Sequence, residues 1–234
     1  MRPSTAIRPR QTREIMRAAR HAWAIDRELN FFIVINFPIR DGDELAPQKD
    51  FRKIRSKARS WMYHRRKSRV VDPLTDVRVW EAKSGNVHIN WMVHVPDGLI
   101  AAFLERLPVW IEKVFGVLSP GCYHVTPIYN VNGLLRYALK GTEKGHAHRF
   151  GIRHDHQGEV WGRRAVSATC LGRSARARDA DEGLIVRTSK FRKQKQKTPP
   201  EGRVISGQVV VDWPSPVNAD DLSSIEKPTA ARGI

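Results

Sequence analysis

The sequence contains very little cysteine and no long apolar segment. Cys122 and Cys170 are the only two cysteines, and they show no Cys-x-x-Cys spacing, which argues against a disulfide framework or a structural zinc site. No apolar run approaches the roughly 18–20 residues that cross a bilayer, and the N-terminus lacks the apolar core of a signal peptide. Internal repeats are absent as well. We therefore expect a soluble, intracellular protein without membrane association.

Acidic residues are scarce relative to basic ones. The 234 residues include 41 Lys and Arg against 24 Asp and Glu, which gives a formal net charge of +17. Between residues 46 and 70 ten basic residues face one Asp, and between residues 187 and 203 seven face one Glu. A solvated helix face or a disordered tail explains any single run, and we prefer that interpretation for the second one. The whole pattern favours a polyanionic partner, namely nucleic acid.

Residues 87 to 95, with the sequence VHINWMVHV, alternate apolar and polar side chains. This period of two predicts a half-buried strand with the valines, Ile89 and Trp91 on one face. The other face carries His88, Asn90 and His94. Buried polar groups without partners cost roughly 1–3 kcal/mol each, so these side chains predict a polar feature, and a metal ion is one candidate.

A hairpin precedes this strand. Residues 76 to 82 form a second predicted strand, and Ser84-Gly85 is a plausible two-residue turn. The resulting register places Glu81 directly opposite His88, so that a carboxylate, an imidazole and the Asn90 carbonyl can converge on one cation. Mixed oxygen and nitrogen donors favour Mg²⁺ or Mn²⁺. A salt-bridged, hydrogen-bonded hairpin without metal is the alternative.

The predicted elements follow the order β-α-β-β-α-β. Strands are expected at residues 31–37, 76–82, 87–95 and 122–129, with helices at 47–67 and 97–116, the second kinked or split at Pro108. This order predicts an α+β fold with a ferredoxin-like antiparallel sheet and both helices on one face. A short helix over residues 130–140 can cover the other face, and it places Tyr137 and Lys140 on one side. An ordinary amphipathic helix packed on the sheet is the alternative for this segment.

Three segments of the chain resemble the HUH endonucleases, specifically the rolling-circle replication initiators of phages and plasmids. Residues 30–37 (NFFIVINF) look like the first-motif strand, His88-Ile89-Asn90 takes the place of the histidine motif, and residues 134–141 (LLRYALKG) are similar to the Tyr-x-x-Lys helix. Asn90 departs from the family pattern, which has a second histidine there. His94 is the alternative source of the missing ligand.

This resemblance implies a metal-assisted tyrosine nuclease. Tyr137 would attack single-stranded DNA at an origin with help from Lys140, leaving a 5′-phosphotyrosine link and a 3′-OH primer; Tyr123 and Tyr129 are weaker candidates. Glu81 and His88, with Asn90 or His94, would hold Mg²⁺ or Mn²⁺. The chain has no room for a helicase domain, so a host helicase and polymerase are expected partners, in the cytoplasm of a bacterial host.

The clusters of basic residues and the composition, together with the resemblance, predict a division of the chain and a set of DNA contacts. We expect a basic arm at residues 1–29, a catalytic domain at 30–186 and a basic, largely disordered tail at 187–234. The residues expected to contact DNA are Arg52, Lys53, Arg55, Arg59, Arg65, Arg66, Arg136, Arg163 and Arg164. Four histidines between residues 146 and 156 are interpreted as part of a polar loop.

Two other functions remain open from the sequence. An HUH transposase shares the order of motifs, with the tyrosine after the histidine motif, whereas relaxases usually have the tyrosine first. A non-catalytic single-stranded nucleic-acid-binding protein can use the same ferredoxin-like sheet, but such proteins usually expose aromatic residues on the binding face. The expected face here carries His88, Asn90 and His94 instead.

Overall fold

A computed structural model of the protein describes residues 3–38, 40, 42–65 and 74–184. The predicted tail at 187–234 and the predicted DNA contact Arg66 lie outside these residues. The elements in chain order are β1 (Pro3–Ser4), α1 (Pro9–Ala24), β2 (Phe31–Asn36), α2 (Ala46–Arg65), β3 (Asp76–Glu81), β4 (His88–Val93), α3 (Ile100–Phe115), β5 (Tyr123–Pro127), α4 (Val131–Ala138), α5 (Lys144–Ala147), β6 (Val160–Trp161), β7 (Ala165–Ser167) and α6 (Arg173–Asp181). None of the described helices is both long and apolar enough to span a membrane.

The fold is α+β, as predicted, and its centre is a five-stranded antiparallel sheet. The strand order is β5-β2-β4-β3-β7, and β1 and β6 form a separate two-stranded ribbon. Helix α2 connects β2 to β3, and α3 connects β4 to β5. Pro108 lies inside α3, which is one helix and is not split there. Both strands of the β3–β4 hairpin therefore have neighbours on each side. Strand β4 lies between β2 and β3, and β3 lies between β4 and β7.

The hairpin register predicted from the turn is confirmed. Glu81 pairs with His88, Val79 with Asn90, and Val77 with Met92. The connection is a tight turn in which Ser84 and Gly85 adopt positive φ angles of 56° and 81°. Glycine adopts such angles without strain. This register is what brings a carboxylate and an imidazole together at the turn end of the two strands.

Apolar cores lie on both faces of the sheet. The first core contains Trp80, Ile89 and Trp91 from the hairpin, packed against Phe51 of α2 and Phe103 of α3. The second core, on the opposite face, is formed by side chains from β3, β4, α1 and α4, among them Val77, Val79, Met92, Ile15 and Leu135. Because side chains alternate along a strand, Glu81 and Asn90 share the face of the second core.

The N-terminal segment, predicted as a basic arm outside the catalytic domain, belongs to the folded unit. Ile15, Ala18 and Ala22 of α1 are buried in the second core. The backbone N–H of Ile7 donates to the Gly141 carbonyl at 2.8 Å, beyond the end of α4. The basic residues of α1 occupy one face of the helix while its apolar residues cover the sheet, so a segment that is basic in composition still contributes to the core.

A buried histidine links α1 to α6. His21 Nε2 lies 2.9 Å from Asp179 Oδ2. Burial lowers the pKa of His21 below its ordinary value of 6.5, and the opposing attraction of Asp179 does not restore it. The unfolded chain therefore binds a proton at higher pH than the folded protein does. The contribution of this group to stability is present above pH 6.5 and is lost as the pH falls below that value.

We expect the free energy of unfolding to fall between pH 6.5 and pH 5, with His21 contributing at most about 1.4 kcal/mol per pH unit because it binds one proton. Denaturant unfolding of the parent and of His21→Gln, which keeps a donor but does not titrate, measures this contribution. His148→Gln is the matched control at an exposed histidine. Equal pH slopes in the parent and in His21→Gln would contradict the assignment.

Candidate active site

A buried carboxylate lies at the turn end of the hairpin, beside the second core. Glu81 is the last residue of β3 and is only 1% exposed. His88, which begins β4, and Asn90 point to the same face of the sheet. The polar face predicted for residues 87–95 is therefore covered along most of its length by the second core, and its polar end forms the site.

Three side chains converge on the Glu81 carboxylate. The Asn90 Nδ2 donates to Oε1 at 2.6 Å, and the His88 Nε2 lies 3.1 Å from Oε2. The Lys140 ammonium is also 3.1 Å from Oε2. We call Glu81, His88, Asn90 and Lys140 the carboxylate cluster. A buried carboxylate requires such partners, because its desolvation cost is offset only by charge pairing and hydrogen bonds.

Tyr137 joins the carboxylate cluster through Lys140. Asn130 caps helix α4 by accepting a hydrogen bond from the Gly133 N–H at 2.9 Å, and Tyr137 lies in the last turn of the helix. The Lys140 Nζ is 4.0 Å from the centroid of the Tyr137 ring, a cation–π distance. The Tyr137 side chain is about half exposed. The phenol is therefore open to solvent on one side and next to an ammonium ion on the other.

Lys140 remains protonated at neutral pH. Burial by itself lowers the pKa of the ammonium group, but attraction to Glu81 and to Tyr137 outweighs that effect and raises the pKa above its ordinary value of 10.5. The cluster therefore contains a permanent positive charge between the carboxylate and the phenol. A positive charge in that position stabilises negative charge that develops beside it.

The segment formed by residues 154–158 connects the end of α4 to the end of β3. The Asp155 N–H donates to the Lys140 carbonyl at 2.9 Å, and the Ala82 N–H donates to the Gln157 carbonyl at 3.0 Å. Gly158 has a φ of +65°, and a Cβ there would collide with the Ala82 carbonyl. The segment thus fixes the backbone on both sides of the Lys140–Glu81 pair, and only glycine fits at residue 158.

The structure places the other predicted ligand, His94, elsewhere. Strand β4 ends at Val93, and the His94 Nδ1 lies 2.8 Å from the Glu28 carbonyl oxygen. This position is at the opposite end of β4 from His88. Among the two alternatives left open by the sequence, Asn90 is the residue that the structure brings to Glu81.

The donors of the carboxylate cluster suit a divalent cation that prefers oxygen and nitrogen ligands. Within the described ranges, no group of three or more His, Cys, Asp or Glu side chains is arranged to hold a metal. The cluster has two such side chains, Glu81 and His88, and its third donor is an amide. The Asn90 amide directs its nitrogen toward Glu81, and only its Oδ1 can bind a cation.

The histidine-rich stretch at residues 146–156 has structural partners. The His154 Nδ1 lies 2.7 Å from the Thr142 carbonyl oxygen, and the His146 Nδ1 lies 3.5 Å from Glu143 Oε2. His154 is the first residue of the segment 154–158, in which Asp155 contacts the Lys140 carbonyl. The stretch therefore belongs to the frame around the carboxylate cluster.

The basic residues of α2 lie away from the carboxylate cluster. Arg52, Lys53, Arg59 and Arg65 are exposed, but α2 packs through Phe51 on the first core, across the sheet from Glu81. Arg136 of α4 and Arg163 are exposed on their own elements. Of the predicted DNA contacts, Arg136 is the one adjacent to Tyr137 in sequence.

Two predicted DNA contacts are corrected by the structure. Arg55 donates to the buried Asp76 from Nε at 2.7 Å and from Nη2 at 2.9 Å, which anchors α2 to β3. Arg164 is only 1% exposed, and its guanidinium donates to the carbonyls of Ser4, Gln157 and Gly158. Both guanidinium groups hold the fold together, so neither is available to a phosphate in this conformation.

Sequence reasoning missed His124, an exposed residue of β5. Val34 of β2 pairs with both Asn90 and His124, so the two residues flank Val34 on the same face of the sheet. Two strand spacings separate them by roughly 9–10 Å. The His124 Nε2 lies 2.9 Å from Thr126 Oγ1. The period-two pattern of residues 123–127 was the signal that would have placed this imidazole on the candidate site's face.

Comparison with protein-family models and with curated proteins identified no relative of this chain. No protein-family model matches the chain, and no curated protein matches its sequence. The chemistry of the site therefore rests on its own residues.

Proposed function

We propose that the protein is a metal-dependent endonuclease that nicks and rejoins single-stranded DNA through Tyr137, as HUH replication initiators do. The observation that carries this proposal is the chain of contacts from the Tyr137 ring through the Lys140 ammonium to the buried Glu81, which also contacts His88 and Asn90. A tyrosine with only a packing role would not need a buried carboxylate nearby. Here Glu81 lies on the strand beneath and has three polar partners, His88, Asn90 and Lys140.

The topology supports the same assignment. Strands β2, β3, β4 and β5 occupy the sheet in the order β5-β2-β4-β3, with α2 and α3 as the two helical connections on one face. This order supports the proposed ferredoxin-like β-α-β-β-α-β unit. Helix α4 then packs on the opposite face through Leu135 and Ala138, next to the polar ends of β3 and β4.

The oxygen and nitrogen donors of Glu81, His88 and Asn90 support a Mg²⁺ or Mn²⁺ ion here. Glu81, His88 and, once its amide is turned from the Glu81-bonded orientation, the Asn90 oxygen would hold it, and the ion would supply positive charge that polarises the scissile phosphate. The Tyr137 oxygen attacks phosphorus, its proton passes to solvent, and the bond to the 3′ oxygen breaks. That oxygen takes a proton from water, which leaves a 3′-OH and a 5′-phosphotyrosine link.

Lys140 has a defined part in this reaction. Tyrosine has a reference pKa of about 10, so its hydroxyl needs a nearby positive charge to react near neutral pH. The Lys140 ammonium is in contact with the ring and stays charged, so it stabilises the phenolate and the charge that develops on the phosphate. The half-exposed Tyr137 leaves space for a strand to approach.

A covalent adduct is the direct test. The protein is incubated with Mn²⁺ and a pool of single-stranded oligonucleotides that carry different dyes at their 5′ and 3′ ends. We expect an adduct that survives denaturation and carries only the 3′-end dye, while the released 5′ fragment can be extended by a polymerase. Strand binding without any adduct would contradict the proposal and would favour the non-catalytic binding protein.

Lys140 and a divalent cation compete for Glu81, because both are attracted to Oε2 of the same carboxylate. We expect Lys140→Met to bind Mn²⁺ about 3–10-fold more tightly than the parent, because a neighbouring positive charge has been removed. The same variant should form adduct more slowly. Electron paramagnetic resonance of free Mn²⁺ measures the affinity.

The matched control for this variant is Lys83→Met, which removes an exposed lysine paired with Asp155 near the hairpin turn. Its Mn²⁺ affinity should stay close to that of the parent. Equal or weaker Mn²⁺ binding by Lys140→Met would show that Glu81 is not the cation's ligand.

The wider setting belongs to the same proposal. A replication initiator acts together with a helicase and a polymerase, which we expect the host to supply, and the resemblance to phage and plasmid initiators favours the cytoplasm of a bacterium. An HUH transposase would use the same chemistry on the ends of a mobile element. A 3′-OH that primes polymerase on an origin-containing circular template distinguishes the initiator from the transposase.

A further inference from the structure

A groove lined by arginine lies on the outer side of helix α4. It is a cavity of about 340 Å³ between α1, α4 and the turn that ends at Gly151. Arg20 comes from α1, Arg136 from α4 and Arg149 from the turn, where Phe150 follows it. We call this cavity the arginine groove.

The arginine groove concentrates positive charge. Three guanidinium groups line it, and none of its lining residues is an Asp or a Glu. Arg20, Arg136 and Arg149 are all exposed on the surface. Guanidinium groups bind phosphate oxygens in a planar, two-pronged geometry, which makes phosphate the best-matched anion.

The groove is held by the surrounding backbone. Gly151 has a φ of +63°, and a Cβ there would lie 3.4 Å from the Arg136 Cζ, so the guanidinium packs against the glycine backbone. Leu135 anchors the adjacent turn of α4 in the second core. Phe150 is half-buried against the second core and also lines the groove, which places an aromatic residue where a base can stack.

The groove adjoins the candidate nucleophile through Arg136, which lines it, whereas Tyr137 itself is not among the lining residues. Arg136 directly precedes Tyr137, and neighbouring residues of a helix are separated by about 100° around its axis. A strand whose phosphate reaches Tyr137 therefore meets the Arg136 side of α4 within one or two nucleotides. The basic face of α2, by contrast, lies across the sheet.

We propose that the arginine groove binds the phosphodiester backbone of the single strand that flanks the cut at Tyr137. The position of the cut rests on the proposed function, whereas binding in the groove needs neither metal nor chemistry. Arg20 and Arg149 contact phosphates, and Phe150 stacks on a base. The groove thus extends the substrate contact beyond the carboxylate cluster, on the outer side of α4.

The test compares two double variants with the same loss of charge. Arg20→Gln/Arg149→Gln changes the groove and leaves Arg136 beside Tyr137 intact. Arg106→Gln/Lys113→Gln removes two exposed charges from α3, on the other side of the sheet. Binding of a labelled single-stranded oligonucleotide is measured in EDTA at several salt concentrations, and circular dichroism and thermal unfolding verify the fold of each variant.

We expect the groove variant to bind about 10–30-fold more weakly than the parent at moderate salt. The slope of log affinity against log salt should become shallower by about 1.4, since each lost contact to a single strand removes about 0.7. The α3 variant should lose less than about threefold. Equal losses in the two variants would overturn the proposal, because net charge alone would then explain binding, and so would an unchanged affinity of the groove variant.

Two further measurements separate the possible failures. Polyglutamate of similar charge should show no dependence on the groove; an equal loss with polyglutamate would overturn a nucleic-acid site in favour of an acidic protein partner. The adduct assay with the parent is independent of both. A groove effect without any adduct refutes only the nuclease, and an adduct without a groove effect refutes only the groove.

Discussion

Tyr137→Phe is expected to lower adduct formation by more than about 10³-fold, because it removes the only atom through which this side chain can attack phosphorus. The ring and its contact with the Lys140 ammonium remain, so the fold and the carboxylate cluster are preserved. Strand affinity should stay within about twofold of the parent, because one exposed hydroxyl contributes little to binding. Gel separation of the denatured adduct and fluorescence anisotropy of the labelled strand measure the two quantities.

The control for this variant is Tyr129→Phe. Tyr129 is more exposed than Tyr137 and lies between β5 and α4, outside both elements. This variant makes the same chemical change eight residues before Tyr137 and should leave adduct formation at the level of the parent. An adduct from Tyr137→Phe at the rate of the parent, or its loss in Tyr129→Phe alone, would assign the nucleophile elsewhere.

Glu81→Gln is expected to weaken Mn²⁺ binding and adduct formation by at least about 10²-fold, since it removes the only carboxylate of the cluster while keeping its shape. It also leaves the largely buried Lys140 ammonium without its counter-charge. We therefore expect the free energy of unfolding to fall by about 1–3 kcal/mol, a partial form of the cost of breaking a buried pair. Urea unfolding and Mn²⁺ titration measure the two effects.

The double variant Glu81→Gln/Lys140→Met separates stability from metal binding. It should recover most of the lost stability, because no unpaired ammonium remains, yet it should still fail to bind Mn²⁺. Glu143→Gln, at an exposed glutamate before α5, is the control and should match the parent in both measurements. Mn²⁺ binding by Glu81→Gln at the affinity of the parent would remove the basis for a cation at this hairpin.

The hairpin could be predicted closely because few choices were available. A two-residue turn sets the pairing of every later residue, so Glu81 had to face His88 once the turn was placed at Ser84 and Gly85. Strands β2 to β5 and helices α2 and α3 follow from the same kind of periodic pattern. The proximity of Lys140 to Glu81, however, depends on how α4 sits on the sheet, and no local pattern specifies that.

Basic residues show where sequence reasoning reaches its limit. Arg164 resembles a surface arginine in sequence, but its burial depends on three carbonyls contributed by residues distant from one another, Ser4 and the pair Gln157 and Gly158. Arg55 likewise meets Asp76 only after α2 has packed on the sheet. Charge is visible in a sequence, whereas the partner that neutralises it is a product of folding.

The positions of His94 and of the N-terminal segment could not be predicted from the sequence for the same reason, since both depend on how distant parts of the chain pack together. Alternation along the strand places His94 with His88, but β4 ends at Val93 and the chain then leaves the sheet. The second face of the sheet carries the apolar side chains of Val77, Val79 and Met92, which the two turns of α4 do not cover alone. Helix α1 supplies the rest of that cover, although its composition suggested a free basic arm.

Because α1 covers this core, the first thirty residues affect the environment of the Glu81 carboxylate. A shortened protein starting at residue 30 would expose Val77, Val79 and Met92 to water on the face of the sheet that carries the Glu81 carboxylate. It would also lose the hydrogen bond from the Ile7 N–H to the Gly141 carbonyl. Water entering there would hydrate Glu81 and loosen its hold on the ammonium. The exclusion of water from the carboxylate cluster thus depends on a helix that contributes none of the four residues of that cluster.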